Sequence, residues 1–123
     1  MKMTNSQIYY TANAFTEVFA DFNQYIPVKV NFALQKNAQA LAAAAKEIEA
    51  ARMEIAKHYG ELDAEAQRYN IPNENMPAAE QELNDLFNIE QDLPIKTISI
   101  DAFGNIELTP AQMQVIMFMI DEE

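Results

Sequence analysis

Residues 27–60 read PVKVNFALQKNAQALAAAAKEIEAARMEIAKHYG. Pro27 suits the first turn of a helix and Gly60 is a typical stop, so we predict one long helix over residues 27–59. Its apolar side chains recur every seven positions, at Leu34, Leu41, Ile48 and Ile55. Small residues flank this ridge at Ala38, Ala44, Ala45 and Ala51. An apolar ridge lined with alanine lets other helices approach closely, so this helix should be the spine of the fold.

The residues before the spine predict a second helix. Thr4 and Gln7 have the spacing of a capping box, and Met3 and Ile8 stand at the two positions of a hydrophobic staple. Apolar residues follow at helical spacing: Ile8, Ala12, Phe15, Phe19 and Phe22. We predict a helix from the capping box to about Gln24, folded back on the spine as a hairpin.

The stretch after Gly60 predicts smaller elements. Residues 61–76 form a variable connector, in which residues 62–69 could form a short helix and residues 70–75 a loop around Pro72. A third helix is predicted over about residues 77–89, because apolar residues there recur at helical spacing. The side chains expected to point inward are Leu83, Leu86, Phe87 and Ile89.

The last elements are a predicted strand pair and a helix. Ile98 and Ile100 alternate with polar neighbours, residues 103–105 have turn chemistry, and residues 106–108 would form a return strand. Thr109 and Gln112 then repeat the capping box, with Pro110 at the first helical position. Residues 115–120 are apolar on all sides, so this helix needs cover from the fold or from a partner.

These elements predict a single, mainly α domain over residues 1–123. Its long N-terminal helical hairpin spans residues 1–60, and residues 61–76 connect it to residues 77–123. That last part holds an acidic helix and a small C-terminal α+β unit, a short β-hairpin plus the terminal helix, which we expect on the open end of the helical hairpin. The predicted core residues are Phe15, Phe19, Phe22, Leu34, Leu41, Ile48, Ile55, Leu86, Ile98, Ile100, Ile116 and Met117.

The charge is strongly uneven. Residues 1–60 carry six basic and five acidic side chains, whereas residues 61–123 carry two basic and 14 acidic ones, for a total of −11. Such a field repels nucleic acid and anionic lipid, so we expect neither as a direct partner. The most apolar run, residues 115–120, is far too short to cross a membrane, and the first residues lack a signal-peptide core.

Few residues invite a catalytic or metal-binding interpretation. The chain has no cysteine, and its single histidine, His58, lies near the end of the predicted spine, where a solvated or capping role is typical. Two glycines are too few for a phosphate-binding loop, and residues 101–107 lack the alternating oxygen ligands of a calcium loop. We therefore predict no catalytic residue, no cofactor, no metal and no enzymatic activity.

Three groups of residues are candidates for a protein interface. Tyr9, Tyr10 and Tyr25 lie off the main apolar stripe, and tyrosine is favoured at interfaces. Met113, Met117 and Met119 form an adaptable cluster whose alternative role is core packing. The third group is acidic, and its alternatives are a solvated surface or a partner-facing patch; it comprises Glu80, Glu82, Asp85, Glu90 and Asp92.

Several segments together resemble a known family. They read MTNSQIYYTANAF, IPVKVNFALQKN, AAKEIEAARMEIAKHYG, EQELNDLFNIEQDLPIKTISI and LTPAQMQVIMFMI, in this order, and cover more than half of the chain. The chain is similar in them to a family of small tailed-phage proteins of unknown function, the DUF1617-like proteins. The resemblance implies a phage or prophage origin and expression in a bacterial cytoplasm, but no catalytic residue.

Two non-catalytic functions are expected from these observations. The first is a virion or assembly component that binds other proteins, including copies of itself, in the host bacterial cytoplasm or in the virion. The second is an inhibitor of a host nucleic-acid-binding enzyme or defence complex, whose acidic second half imitates nucleic-acid charge.

Overall fold

The protein is mainly α-helical, as predicted, and its described residues form three small strand pairs where one short β-hairpin was predicted. The computed structural model describes residues 1–20 and 22–121. Its helices are α1 (Asn5–Val18), α2 (Val28–Tyr59), α3 (Met76–Phe87) and α4 (Pro110–Ile116), with 3₁₀ turns at Ile100–Phe103 and Met117–Met119. Its strands are β1 (Lys2–Thr4), β2 (Glu61–Asp63), β3 (Arg68–Asn70), β4 (Glu90–Asp92), β5 (Ile98–Ser99) and β6 (Ile120–Asp121).

The spine helix α2 has the predicted bounds. On its ridge Leu34, Leu41 and Ile48 are buried, whereas Ile55 is half-buried near the helix end. Gly60 caps the helix in an extended conformation. A Cβ atom there would lie 2.6 Å from the backbone oxygen of Ala56, so this glycine is required by close approach of the backbone and not by a left-handed turn.

Helix α1 begins at the predicted capping box and runs antiparallel to α2. Met3 and Ile8, the two staple residues, are both buried. The prediction that α1 extends to about residue 24 is wrong, because the helix ends at Val18; residue 21 of that prediction lies outside the described residues. The side chain of Gln24 instead makes two hydrogen bonds with the backbone of Glu107, which ties the connection to the C-terminal unit.

The phenylalanines beyond the end of α1 remain on the inner side. The ring of Phe19 lies 5.0 Å from that of Phe15 and 5.5 Å from that of Phe22, measured between centroids. All three side chains are half-buried. The apolar stripe of the sequence therefore predicted their burial correctly although it placed Phe22 in a helix.

The connector after α2 is a β-hairpin, so the short helix considered for residues 62–69 does not form. Strands β2 and β3 are antiparallel, with Leu62 opposite Tyr69. A carboxylate oxygen of Asp63 accepts hydrogen bonds from the next turn's backbone N–H groups, and Gln67 takes a positive φ of 54°. These local polar contacts favour a turn over a helix.

Helix α3 lies against the C-terminal half of α2. The side-chain amide of Asn75 donates to the backbone oxygen of Tyr59, which places the start of α3 beside the end of α2. Ala79 is the buried residue of this helix, whereas Leu83, Leu86 and Phe87 are half-buried.

The prediction that Ile89 points inward is wrong. The helix ends at Phe87, and Ile89 is 52% exposed. Its backbone oxygen accepts from the N–H of Asn5. The chain then continues into β4, which pairs antiparallel with β1, Met3 lying opposite Gln91. The direction of residues 88–92 is therefore determined by strand pairing with β1 and not by helical periodicity.

The C-terminal unit differs from the predicted β-hairpin. Strand β5 pairs with β6 in parallel, Ile98 opposite Ile120, and residues 106–108 form no strand. The hydroxyl of Ser99 caps a 3₁₀ turn that begins at Ile100, so the strand alternation stops there and Ile100 is 52% exposed instead of buried.

The core consists of two buried clusters along α2. The first combines Met3, Ile8, Leu41, Ala44, Ile48 and Leu93. The second combines Val30, Ala33, Leu34, Phe103, Ile116 and Met119. Because the second cluster surrounds the start of α2, the C-terminal unit covers the closed end of the helical hairpin and not the open end that we expected.

Candidate functional site

The predicted methionine cluster divides between the core and the surface. Met119 is fully buried, and its sulfur lies 3.4 Å from the side-chain nitrogen of Asn37. Met117 is 60% exposed, so it is not the core residue that we predicted. The helix tightens into a 3₁₀ turn after Ile116, which turns Met117 outward and Met119 inward. Met119 is therefore a core residue and is not available for contact with a partner.

Exposed and half-buried residues of the C-terminal unit line a small apolar groove. This C-terminal groove is formed by Ile100, Met113, Met117, Ile120 and Asp121, and it encloses about 270 Å³. Small-molecule sites usually exceed roughly 300 Å³ and enclose most of their ligand, so a groove of this size fits a side chain or two of a protein better than a cofactor.

The predicted acidic residues lie on the exposed surfaces of α3 and β4. Glu80, Glu82, Asp85, Glu90 and Asp92 are all exposed. Three of them have partners: Asp85 accepts from Gln81, Glu82 accepts from the hydroxyl of Tyr59, and Asp92 binds the N-terminal ammonium group at 2.6 Å.

The carboxylate of Asp92 lies beside the N-terminal ammonium group. The adjacent ammonium group, which hydrogen-bonds to the carboxylate, lowers the pKa of Asp92. Such an exposed pair contributes little to stability. The group is thus a solvated negative surface without a desolvated carboxyl that could act as a general acid.

The three candidate tyrosines have different environments. Tyr10 is 70% and Tyr25 is 84% exposed, so both remain available to a partner. Tyr9 is half-buried, and its ring packs edge-on against Phe87 at 5.8 Å between centroids. Tyr9 therefore contributes mainly to the contact between α1 and α3.

Tyr9 also takes part in the polar network with the largest pKa shift. Its hydroxyl donates to Glu49 at 2.8 Å, and the Nε of Arg52 donates to the same carboxylate at 2.9 Å. The hydrogen bond from Arg52, and then the one from Tyr9, lower the pKa of Glu49 to about 2. The carboxylate in turn raises the pKa of Tyr9. Both shifts move titration away from neutral pH, and the hydrogen bond from Tyr9 to Glu49 links α1 to α2.

His58 lies in the last turn of α2, as predicted, and is exposed. Its ring contacts that of Tyr59 edge-on at 4.6 Å between centroids. In residues 1–20 and 22–121, no three His, Asp or Glu side chains are grouped so that they could hold a metal ion. Over the same residues, no helix has the length and apolar character needed to cross a membrane.

The sequence analysis missed one exposed surface on the first half of α2. Val28 is 74% and Phe32 is 52% exposed, and the ammonium groups of Lys36 and Lys96 both lie over the Phe32 ring. The available signal was the spacing of four between Val28, Phe32 and Lys36, which puts them on one helix face, away from the Leu34 ridge. The contribution of Lys96 depends on tertiary structure.

No protein-family model, curated protein or solved structure matches this chain.

Proposed function

We propose that this protein is a non-catalytic, phage-type accessory protein that acts by binding another protein, as a component of a virion or of its assembly. The resemblance to small tailed-phage proteins supports the phage origin, and with it a site of action in the host bacterial cytoplasm or in the virion. The observation that carries the binding function is the C-terminal groove, where Ile100 and Met117 are 52% and 60% exposed. Neighbouring apolar side chains that stay exposed mark interaction surfaces.

The groove favours a particular kind of partner. Methionine adapts its shape to the side chain it meets, so Met113 and Met117 suit an inserted apolar residue. Asp101 follows Ile100 and Asp121 follows Ile120, so carboxylates adjoin the groove in a chain with a net charge of −11. The partner is therefore a protein segment whose apolar side chain is flanked by lysine or arginine.

The test is capture of partners by the tagged full-length chain during infection, with identification by mass spectrometry. We expect a virion or assembly protein to be captured by the wild type and lost with Met117→Lys, which places a cation in the groove. Leu62→Lys is the matched control, because Leu62 is 62% exposed on the β2–β3 hairpin, away from the groove. Capture that survives Met117→Lys, or that Leu62→Lys abolishes equally, would refute the role of the groove.

A second function is supported by the charge of the opposite end. There the carboxylates of α3 and of the β2–β3 hairpin form a solvated negative surface that could meet a basic protein in place of nucleic acid. An inhibitor of this kind would lose binding steeply with salt and with Glu82→Gln/Asp85→Asn, and it would be absent from purified virions. Detection of the protein in purified virions would favour the first function.

A further inference from the structure

The first half of α2 carries an exposed surface that combines an aromatic ring with positive charge. We define the basic–aromatic patch by Val28, Lys29, Phe32, Lys36 and Lys96. The ammonium groups of Lys36 and Lys96 lie 5.6 and 5.7 Å from the centroid of the Phe32 ring, within cation–π distance. Phe32 nevertheless remains 52% exposed, so its ring retains surface for a further contact.

The patch is held in place by a buried side chain. Asn37 is 0% exposed, and its amide donates to the backbone oxygen of Lys96 at 2.9 Å and accepts from the backbone N–H of Lys96 at 2.8 Å. These two bonds fix the backbone of Lys96 against α2, on the turn that follows Lys36. A surface assembled from two segments by a buried amide is preorganised, which lowers the entropic cost of binding.

The charge of the patch is not neutralised within the described residues. No carboxylate of residues 1–20 or 22–121 forms an ion pair with Lys29, Lys36 or Lys96. By contrast, Arg52 and Lys57 on the second half of α2 pair with Glu49 and Glu54. In a chain with a net charge of −11, two such lysines over one exposed ring, with Lys29 three residues before that ring on α2, form a local positive surface.

The opposite end of the molecule has the complementary charge. We define the acidic end by exposed carboxylates of the β2–β3 hairpin and of α3 with its preceding loop: Glu61, Glu65, Glu74, Glu80, Glu82 and Asp85. Phe32 and Tyr59 are 27 residues apart on α2, which is about 40 Å along a helix. The two surfaces therefore cannot meet within one molecule.

We infer that the basic–aromatic patch binds the acidic end of a second copy of this chain, so that copies associate head to tail. Contact between two different surfaces is heterologous, and repetition gives a ring or a filament instead of a closed two-fold dimer. Phosphate backbones offer the patch the same kind of charge, but the net charge of −11 repels nucleic acid at long range. This association uses neither the C-terminal groove nor its partner, so it stands apart from the proposed function.

Two variants that each remove one surface test the inference by sedimentation velocity of the full chain. Lys36→Gln/Lys96→Gln removes charge from the patch, and Glu82→Gln/Asp85→Asn removes charge from the acidic end. We expect the wild type to form oligomers that grow with concentration, and each variant alone to be monomeric. Mixed together, the variants keep one intact patch and one intact acidic end, so we expect a 1:1 complex and nothing larger.

Salt and a matched control complete the test. Lys46→Gln removes an exposed positive charge from α2 between the two surfaces and should leave oligomers unchanged. Raising the salt concentration from about 0.01 M to about 1 M, which shortens the Debye length from roughly 30 Å to roughly 3 Å, should dissociate them. Circular dichroism should show equal helix content in all variants, because every substituted side chain is exposed.

Four outcomes would overturn the inference. They are a wild type that stays monomeric at low salt, oligomers that survive high salt, a control that dissociates as fully as the patch variant, and a mixture of the two variants that stays monomeric. Binding of a single-stranded oligonucleotide that Lys36→Gln/Lys96→Gln abolishes, without self-association of the wild type, would assign the patch to nucleic acid instead.

Discussion

The side-chain amide of Asn37 makes hydrogen bonds to both the N–H and the carbonyl of Lys96, 59 residues further along the chain. Asn37 is the most deeply buried polar residue of α2, and it occupies a site between the apolar residues Leu34 and Leu41. It satisfies backbone groups of a segment that forms no strand there. This one side chain therefore joins the spine to the C-terminal unit.

Replacing Asn37 with leucine should destabilise the protein. Leucine has a similar volume but leaves the partly buried N–H and carbonyl of Lys96 without their partner, which costs up to roughly 1–3 kcal/mol per group. Urea denaturation followed by circular dichroism measures the change in unfolding free energy. Gln39→Leu, at an exposed position of the same helix, is the control and should change it little. Equal stability of Asn37→Leu and the wild type would contradict the structural role of this amide.

The spine ridge should be sensitive to truncation. Leu41 is 0% and Ile48 is 2% exposed, so Leu41→Ala or Ile48→Ala should each lower the unfolding free energy by roughly 2–5 kcal/mol. The exposed Leu62 is the control, and Leu62→Ala should stay within about 0.5 kcal/mol of the wild type. If the melting temperature were unchanged in both ridge variants, the other helices would have to pack against a different face of α2.

The two neighbouring methionines near the C-terminus should differ sharply. Met119→Ala opens a cavity in the second core cluster and should cost roughly 2–5 kcal/mol of unfolding free energy. Met117→Ala removes an exposed side chain from the C-terminal groove and should cost far less. Thermal unfolding of the two variants, measured side by side, checks this. A lower melting temperature for Met117→Ala than for Met119→Ala would mean that the 3₁₀ turn places Met117 inward and Met119 outward.

The link between Tyr9, Glu49 and Arg52 should contribute to stability in a pH-dependent way. The pKa of Glu49 is lowered from 4.5 to about 2 in the folded state. A lowered pKa stabilises the fold above the unfolded value, and this contribution is lost as the pH falls from about 4.5 through about 2. The stability difference between the wild type and Glu49→Gln should therefore be constant near neutral pH and shrink over that acid range.

Urea denaturation at several pH values measures this difference. Glu47→Gln is the matched control, because Glu47 is exposed on the same helix and forms no hydrogen bond or ion pair within the described residues. A difference for Glu49→Gln that does not change between neutral pH and pH near 2 would show that the carboxylate is not held by Arg52 and Tyr9.

Elements with local signals were predicted closely. The capping boxes at Thr4 and Thr109 are both present, and α2 begins and ends within a residue of its prediction. Capping boxes and helix stops depend on residues only a few positions apart, so the sequence contains the whole interaction. The end of α1 was not predicted; there the carbonyl of Val18 accepts a hydrogen bond from the side chain of Gln112, a residue far along the chain.

The candidate site was predicted only in part. The acidic residues, Tyr10 and Tyr25 are exposed, and their role at an interface stays a prediction. Methionine spacing cannot tell which of Met117 and Met119 faces inward once the helix becomes a 3₁₀ turn. The basic–aromatic patch was not predicted because Lys96 is brought beside Phe32 by the hydrogen bonds of Asn37, which join two segments that are distant in the sequence.

The sequence alone determined the helices, their caps, the apolar ridge of α2 and the surplus of negative charge after Gly60. Each of these features depends either on composition or on side chains that are neighbours along the chain. They can therefore be predicted without knowing the fold. Tertiary structure decided which short strands pair, which end of the helical hairpin the C-terminal unit covers, and which methionine reaches the surface. Those outcomes depend on contacts between segments as far apart as Met3 and Gln91, whose free energy exists only after the chain has folded.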